Sequence, residues 1–416
     1  MNTTIFSMSL FYNIGIKLYV LLIHLASLFN AKAKSWVDGR KNIFESIKQK
    51  VDPTKKTAWF HVSSLGEFEQ GRPVIEDFKK KYPNYQIVLT FFSPSGYEVR
   101  KNYTLADAIL YLPYDSAKNA KAFMELVNPD IAFFVKYEFW FHYLNQLNKR
   151  NIPTYIFSAI FRPSQHFFNW YGGWYRKMLG FFDFIFVQNQ ASEQLLQNVG
   201  INKVAVGGDT RFDRVYQIAQ ESKEIPEFKE FCKGKKVIVA GSTWEKDEQL
   251  LKHTIEALGV GVCLILAPHE IHSSNIKRIK KLFGESCVCF SEKEDVDISR
   301  SQILIIDSIG LLSSLYKYGH VAYIGGGFGV GIHNTLEAAT YGIPVAFGPK
   351  FQKFQEAVDL IKNGAAFSIQ NHDMLKNKYF HLFSNENDRV LCGKSAINYV
   401  NNMRGGTALL LDKIAL

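Results

Sequence analysis

The sequence predicts an α/β protein of two Rossmann-like domains behind an N-terminal apolar helix, and three observations lead there. At 416 residues the chain exceeds one ordinary domain. Short apolar β-rich runs alternate with helical patterns, the mark of parallel sheets joined by crossover helices. These runs fall into two sets, separated by a charged stretch without strand character from Arg214 to Gly234.

The N-terminal element comes first. From Ile5 to Phe29 the chain is mostly apolar, interrupted by Lys17 and His24, and it has about the length needed to cross a bilayer. No basic run precedes it and no small-residue cleavage site follows closely, so it reads as a retained segment rather than a signal peptide. Lys32, Lys34, Arg40 and Lys41 lie behind it, which by the positive-inside rule leaves the body of the protein on the cytoplasmic side. Lys17 in the middle suits a helix lying in the interface with its ammonium snorkelling to headgroups, and a spanning helix and a helix packed on the first domain stay open beside it. Residues 1–44 are thus expected to be a membrane anchor and basic juxtamembrane segment.

The first strand set comprises residues 57–63, 86–92, 108–113, 130–135, 153–159 and 183–188, all continuous hydrophobic runs that imply burial on both faces. The second comprises 235–242, 261–268, 303–307, 320–326 and 343–348. The expected layout is therefore one domain over 45–213, a linker over 214–234, a second domain over 235–390 and a C-terminal helix over 391–416. Two such sheets facing each other would form a cleft at the carboxyl ends of their strands, where open α/β sheets bind ligands.

Composition narrows the partners without choosing one. With 47% hydrophobic and 21% charged residues and no low-complexity tract, the chain is neither disordered nor fibrous. A net charge of +10 favours an anionic partner: nucleic acid, an acidic membrane surface or a phosphorylated substrate. Five cysteines without a CxxC pair read as reduced and buried. Asp295 and Asp297 have the Asp-x-Asp spacing of some metal-dependent transferases, but they stand in a charged stretch that reads as a solvated loop.

Two segments carry chemistry. The run from Trp59 through His61, Ser63, Ser64 and Gly66 to Glu67 passes from an apolar strand into a small-residue turn and a helix. Glu67 at that junction can act as a general base toward an attacking hydroxyl, or simply complement the helix dipole. The run from His320 to Glu356 combines strand, glycine loop, helix start and strand, with glycines at 325, 326, 327, 329 and 331. Such glycines let backbone approach a phosphate, and a helix starting near Asn334 would offer free amides to it. Asn334 with Glu337 three residues later also reads as a capping-box-like pair. The run lacks a regular GxGxxG, so it is not a dinucleotide fingerprint.

These motifs together resemble the Kdo transferases, which add 3-deoxy-D-manno-octulosonic acid (Kdo) to the lipid A precursor of Gram-negative bacteria. HVSSLGE followed by the SPSG turn resembles the family signature, and the resemblance makes Glu67 the catalytic base. KYEFW keeps Glu138 and Trp140 of a family Glu-Thr-Glu-Leu-Trp pattern, and Glu138 is similar to a residue credited with transition-state stabilisation. GDTRFD places Arg211 where the family has lysine, facing an anionic donor. GSTWEKDE resembles the family's Gly-Ser-Thr-His turn. APHEIH stands where a Pro-Arg-His segment contacts the nucleotide, giving Pro268 and, in place of the arginine, His269. IDSIGLL resembles the segment lining the nucleotide site, carrying over to Ile309, Gly310 and, with its acid lost, Leu311. The family's Asn-Pro-Leu-Glu matches Asn334, Thr335, Leu336 and Glu337, with proline replaced by threonine.

The resemblance implies a GT-B type glycosyltransferase with an acceptor-side domain over 45–213 and a donor-side domain over 235–390. It implies CMP-Kdo as donor, the 6′-hydroxyl of a tetraacyldisaccharide lipid A precursor as acceptor, and inversion at the anomeric carbon. No metal and no other cofactor is expected, since the departing CMP carries one phosphate. Expected partners are CMP-Kdo, the lipid A precursor and inner-membrane lipids, with no nucleic acid, at the cytoplasmic face of a bacterial inner membrane. Other readings are an inverting transferase using a UDP-sugar, a nucleotide-sugar epimerase, which the membrane segment and the Glu67 junction argue against, and a non-catalytic lipid- or nucleotide-binding protein.

Overall fold

The computed structural model describes residues 2–414, with side chains from residue 9 onward. Met1, at the head of the expected anchor, and residues 415–416, at the end of the expected C-terminal helix, lie outside the described residues. The chain divides into two compact units, one formed by residues up to Asp213 together with Arg404 onward, the other by Arg214–Met403.

The first unit opens with the helices Asn2–Ala26, Ala31–Asp38 and Ile43–Lys50. Its sheet contains β1 (Thr57–Val62), β2 (Gln86–Phe91), β3 (Ala108–Tyr111), β4 (Ile131–Val135), β5 (Thr154–Ala159), β6 (Phe184–Val187) and β7 (Val204–Val206), in spatial order β3-β2-β1-β4-β5-β6-β7. All pairings are parallel. The order reverses between β1 and β4, the place where doubly wound sheets leave a crevice at their carboxyl edge. Successive side chains feed opposite cores. Trp59 packs with Phe123 and Phe134 on one face, while Phe60 packs with Phe78 and Phe133 on the other. This two-sided burial is why the strands are apolar throughout rather than alternating.

The second unit contains β8 (Lys236–Thr243), β9 (Val262–Pro268), β10 (Cys287–Cys289), β11 (Ile303–Ile305), β12 (Val321–Ile324), β13 (Val345–Phe347) and β14 (Ala366–Ser368), in order β10-β11-β9-β8-β12-β13-β14. These pairings are parallel too, and the order reverses between β8 and β12. The three-residue strands β7, β10 and β14 add to the two sets expected from sequence.

Two expectations about the connections are corrected. Residues 214–234 are strand-free, as the sequence reads, but rather than a linker between domains they are part of the second unit and largely helical, in Arg211–Glu221 and Pro226–Cys232, with Phe228 and Phe231 fully buried. The C-terminal segment is two helices, Glu386–Met403 and Gly406–Lys413, broken at Gly405 with φ +109°. The second of them returns to the first unit. Leu410 and Leu411 join the core of Val74 and Phe78, and Asp213 accepts from the Gly405 amide (2.5 Å), the Thr407 amide (2.8 Å) and Thr407 Oγ1 (2.8 Å).

Candidate functional site

In the first unit the predicted catalytic residues gather at the carboxyl ends of β1, β4 and β7. Glu67 is the third residue of the helix Leu65–Lys81, and its Oε2 accepts from the Ser64 amide at 3.0 Å and from the Ser64 hydroxyl. It is thus the acid of a capping box, the bland reading of this residue, and it is half-buried. The SPSG turn lies against it for a steric reason. A Cβ on Gly96 would strike the Phe91 ring and come within 2.9 Å of the Ser64 carbonyl carbon, so only glycine lets the helix Pro94–Arg100 abut the Ser64 turn. Gly66 differs, because a Cβ there would meet nothing closer than Ser64 Oγ at 3.8 Å. The fold does not demand that glycine.

Glu138 follows β4 and is almost fully buried, yet its charge is well provided for. Trp140 Nε1–H donates to Oε2 at 2.6 Å, and His61 Nε2 lies 3.0 Å from the same oxygen. His61 Nδ1 is 2.9 Å from Thr90 Oγ1, which accepts from Trp59 Nε1–H at 2.8 Å. A buried chain of Trp59, Thr90, His61 and Glu138 therefore runs from the sheet to its carboxyl edge. The sequence alone assigns His61 no part. Its signal was a histidine in the middle of an otherwise apolar buried strand. The residue preceding Tyr137, Lys136, takes a left-handed backbone at φ +68°, a conformation side-chain-bearing residues avoid outside sites that over-determine it. Burial raises the Tyr137 hydroxyl above its usual range, Arg162 lowers it, and the Glu67 carboxylate raises it further, which puts the segment carrying Glu138 within electrostatic reach of Glu67.

Arg211 stands beyond β7, where its side chain binds Asp209 Oδ2 at 2.8–3.0 Å. Asp209 also accepts from Gln70 Nε2 at 2.8 Å, and Thr210 Oγ1 donates to the Gln70 carbonyl at 2.5 Å. The segment carrying Arg211 is thereby tied to the helix carrying Glu67.

In the second unit Pro268 closes β9, and the His269 amide donates to the Thr243 carbonyl at 2.9 Å. Three rings then stack. Trp244 and His269 are 4.6 Å apart, His269 and His333 are 4.4 Å apart, and Trp244 Nε1–H donates to His333 Nε2 at 3.0 Å. Burial, with His269 as the second cause, pushes His333 down to about 4. The ring thus stays neutral and free to accept from Trp244. Ile309 is 89% exposed and Gly310 turns the chain at φ +93° beside Leu311.

The glycine loop differs from its expected use. Gly325 N–H donates to Gly241 O, Gly326 N–H to the buried Asp247 Oδ2, and Gly329 and Gly331 N–H to Gly326 O. Those amides tie the loop to β8 and Asp247 and close it on itself. The glycines serve contact: a Cβ on Gly325 would collide with Ser242, and one on Gly327 would come within 2.6 Å of Gly348. Ser242 itself is left-handed at φ +54°. Asp247 anchors the loop, accepting also from the Trp244 amide (2.9 Å) and Tyr323 OH (2.8 Å), although burial raises its carboxyl.

The helix expected near Asn334 is Leu336–Ala339, and its cap is not a capping box. Asn334 Oδ1 accepts from the Leu336 amide at 3.0 Å while Asn334 Nδ2 donates to Glu337 Oε1 at 3.0 Å, a pair made side chain to side chain. Leu336 and Thr335 are fully buried, and Thr335 Oγ1 lacks a hydrogen-bond partner. A hydroxyl thus stands unsatisfied where the resembling family carries proline. Among the described residues no group of three or more His, Cys, Asp or Glu side chains could hold a metal ion. Asp297 caps the turn Ile298–Arg300 and pairs with Arg300 at 3.1 Å.

Comparison with known proteins follows the same division. Residues 39–214 match the family model described as 3-Deoxy-D-manno-octulosonic-acid transferase (kdotransferase). A 3-deoxy-D-manno-octulosonic acid transferase of Aquifex aeolicus is 28% identical over 345 residues, 81% of this chain and 89% of that protein. One from Chlamydia trachomatis serovar A is 24% identical over 382 residues, 88% of each chain. In fold, the chain is similar to the crystal structure of UDP-GlcNAc 2-epimerase from Neisseria meningitidis bound to UDP-GlcNAc, with a TM-score of 0.59 at 16% identity over 86% of this chain and 98% of that one. The two doubly wound sheets are those of a GT-B type protein, and over most of its length the chain is similar to 3-deoxy-D-manno-octulosonic acid transferases.

Proposed function

We propose that this protein is an inverting glycosyltransferase that moves Kdo from CMP-Kdo to the 6′-hydroxyl of a lipid A precursor, at the cytoplasmic face of a bacterial inner membrane, in lipopolysaccharide biosynthesis. The observation that supports the reading is the match of residues 39–214 to the Kdo transferase model, in a unit where Glu67 and Glu138 follow β1 and β4, the two strands between which the sheet order reverses. In the step, the acceptor hydroxyl gives its proton to Glu67 as its oxygen forms a bond to the anomeric carbon. The bond from that carbon to CMP breaks, and CMP leaves with the electron pair on its phosphate. Glu138 supplies fixed negative charge beside a carbon that becomes positive, and Arg211 offers positive charge to the donor's phosphate or carboxylate.

On the donor side, Pro268, His269, Ile309, Gly310, Leu311, Asn334, Thr335, Leu336 and Glu337 hold the nucleotide. The ring stack of Trp244, His269 and His333 offers the flat surface there. The leaving group is a monophosphate, whose charge Arg211 can meet without a divalent cation. Inner-membrane lipids are the proposed surroundings and nucleic acid is not a partner.

The deciding experiment is incubation of the full chain with CMP-Kdo and the lipid A precursor, read by mass spectrometry for added Kdo. A UDP-sugar transferase would instead be inhibited by UDP and not by CMP. Glu67→Gln separates the two duties of that residue. Glutamine keeps the capping box, so the thermal midpoint should hold, while transfer falls about 10²- to 10⁴-fold. A variant that keeps more than about a tenth of the rate removes Glu67 from the role of base.

A further inference from the structure

The N-terminal helix Asn2–Ala26 is apolar enough over Ser9–Ala26 to cross a membrane, but its contacts oppose that arrangement. Tyr12 OH donates to Asp115 Oδ2 at 2.5 Å, and Asn13 Oδ1 lies 2.6 Å from His142 Nε2. Asp115 is 1% exposed and also accepts the His142 and Tyr143 amides at the start of the helix Phe141–Lys149. Tyr12 therefore enters a polar socket inside the first unit. Two turns on, about 10 Å along the axis, the Tyr19 ring packs on Trp36 and Phe92 at 6.2 and 6.1 Å. Residues 12, 13, 16, 20 and 23 are all half-buried, a stripe at helical spacing.

The opposite stripe is exposed and wholly apolar: Phe11, Ile14, Leu18, Leu21, Leu22 and Leu25, each more than half exposed. A spanning helix would have to leave the socket and bury Asn13 in hydrocarbon, where a polar group without a partner is strongly disfavoured. A helix lying flat keeps every contact and turns only the apolar stripe to lipid. Lys17, on the same helix, is exposed, as are Lys32 and Lys34 on the next helix, cations that an anionic headgroup layer would meet.

We propose that this helix lies in the plane of the membrane surface, docked on the first unit along one side and covered by an anionic phospholipid leaflet along the other, so that the protein is monotopic. This deepens the membrane part of the reading above and is independent of whether Kdo is transferred.

The test places a genetically encoded environment-sensitive fluorophore at Phe11, Leu18 or Leu25 of the full chain. Each variant is bound to phosphatidylethanolamine/phosphatidylglycerol vesicles carrying a quencher either near the headgroup or near the chain end. Equal quenching of all three positions, stronger from the shallow quencher, is the expected result. A profile in which Leu18 is deepest and the flanks differ indicates a spanning helix and overturns the proposal. No quenching at any position overturns it as well, with light scattering then showing whether a second copy covers the stripe. Vesicle flotation and the mass-spectrometric transfer assay are read on the same protein, so loss of orientation, loss of membrane binding and loss of transfer are three separate outcomes.

Discussion

Glu138 is a carboxylate with almost no access to water, and it is tolerable there because Trp140 and His61 meet one of its oxygens. A buried charge of this kind ties the stability of its partners together. His61→Leu should cost about 1–3 kcal/mol, the range for removing a hydrogen bond to a charged group. Glu138→Leu in the same background should cost less than it does alone. Chemical denaturation of the two single variants and the double variant gives the coupling, and strictly additive costs would mean the pair does not act as a unit. His61 was visible in the sequence only as one letter of an apolar strand, because its partner stands 77 positions away and only the β1–β4 pairing brings them together.

His333 makes a prediction about acid. Its pKa in the folded protein is about 4, below the ordinary value near 6.5, so the unfolded chain takes up the proton first. The neutral ring's contribution is complete above about 6.5 and is lost as pH falls toward about 4. His333→Gln keeps an acceptor for Trp244 and does not titrate. The stability of the wild type relative to this variant should therefore fall across that window, as followed by denaturant melts at stepped pH. A difference that stays flat would show the ring to be solvated. Glu337 is the opposite lesson: its spacing from Asn334 suggests a backbone cap, but the helix begins one residue later than that pattern implies, with Thr335 as its N-cap, and the pair closes through side chains instead.

At the level of elements, the long strands were legible because burial on both faces writes a continuous apolar run. β7 and β14 were not, since three residues in an edge position carry too little pattern to stand out from a loop. The glycine loop was legible as a loop but not in its use. Counting glycines reveals where backbone comes close, and here much of what it comes close to is other backbone. The contrast between Gly96 and Gly66 makes this testable. Gly96→Ala drives a Cβ into the Ser64 turn and should lose about 1–3 kcal/mol together with activity, as overpacking does. Gly66→Ala fits the fold and, as a helix residue, should hold or raise stability by up to about 1 kcal/mol. If its transfer rate nevertheless drops, the open space beside Glu67 is filled by substrate. If stability falls equally in both, the steric account of this turn is wrong.

For the whole molecule, the two-domain plan was legible from the two strand sets, and the +10 charge was consistent with several partners and selected none. The path of the last residues was not legible, because an apolar helix at a chain end carries no mark of which sheet it joins. Its weight can be measured. Leu410→Ala removes a fully buried side chain from the core of the first unit, at an expected cost of about 2–5 kcal/mol. Melting should show that loss in the first unit, and an unchanged first transition would mean that the C-terminal helix merely rests on it.

That returning helix also bears on the order of events at the ribosome. The first sheet and the slot beside Val74 and Phe78 emerge early, yet Leu410 and Leu411, which fill that slot, and the three donors that Asp213 awaits are made only after the whole second unit. Domains ordinarily close in order of synthesis. Here the unit synthesised second has all its strands and helices before the unit begun first has its last one. A nascent chain stalled before Arg404 would thus carry a finished second unit and an apolar slot still open on the first, a period in which a chaperone or a misplaced amphipathic segment can occupy it.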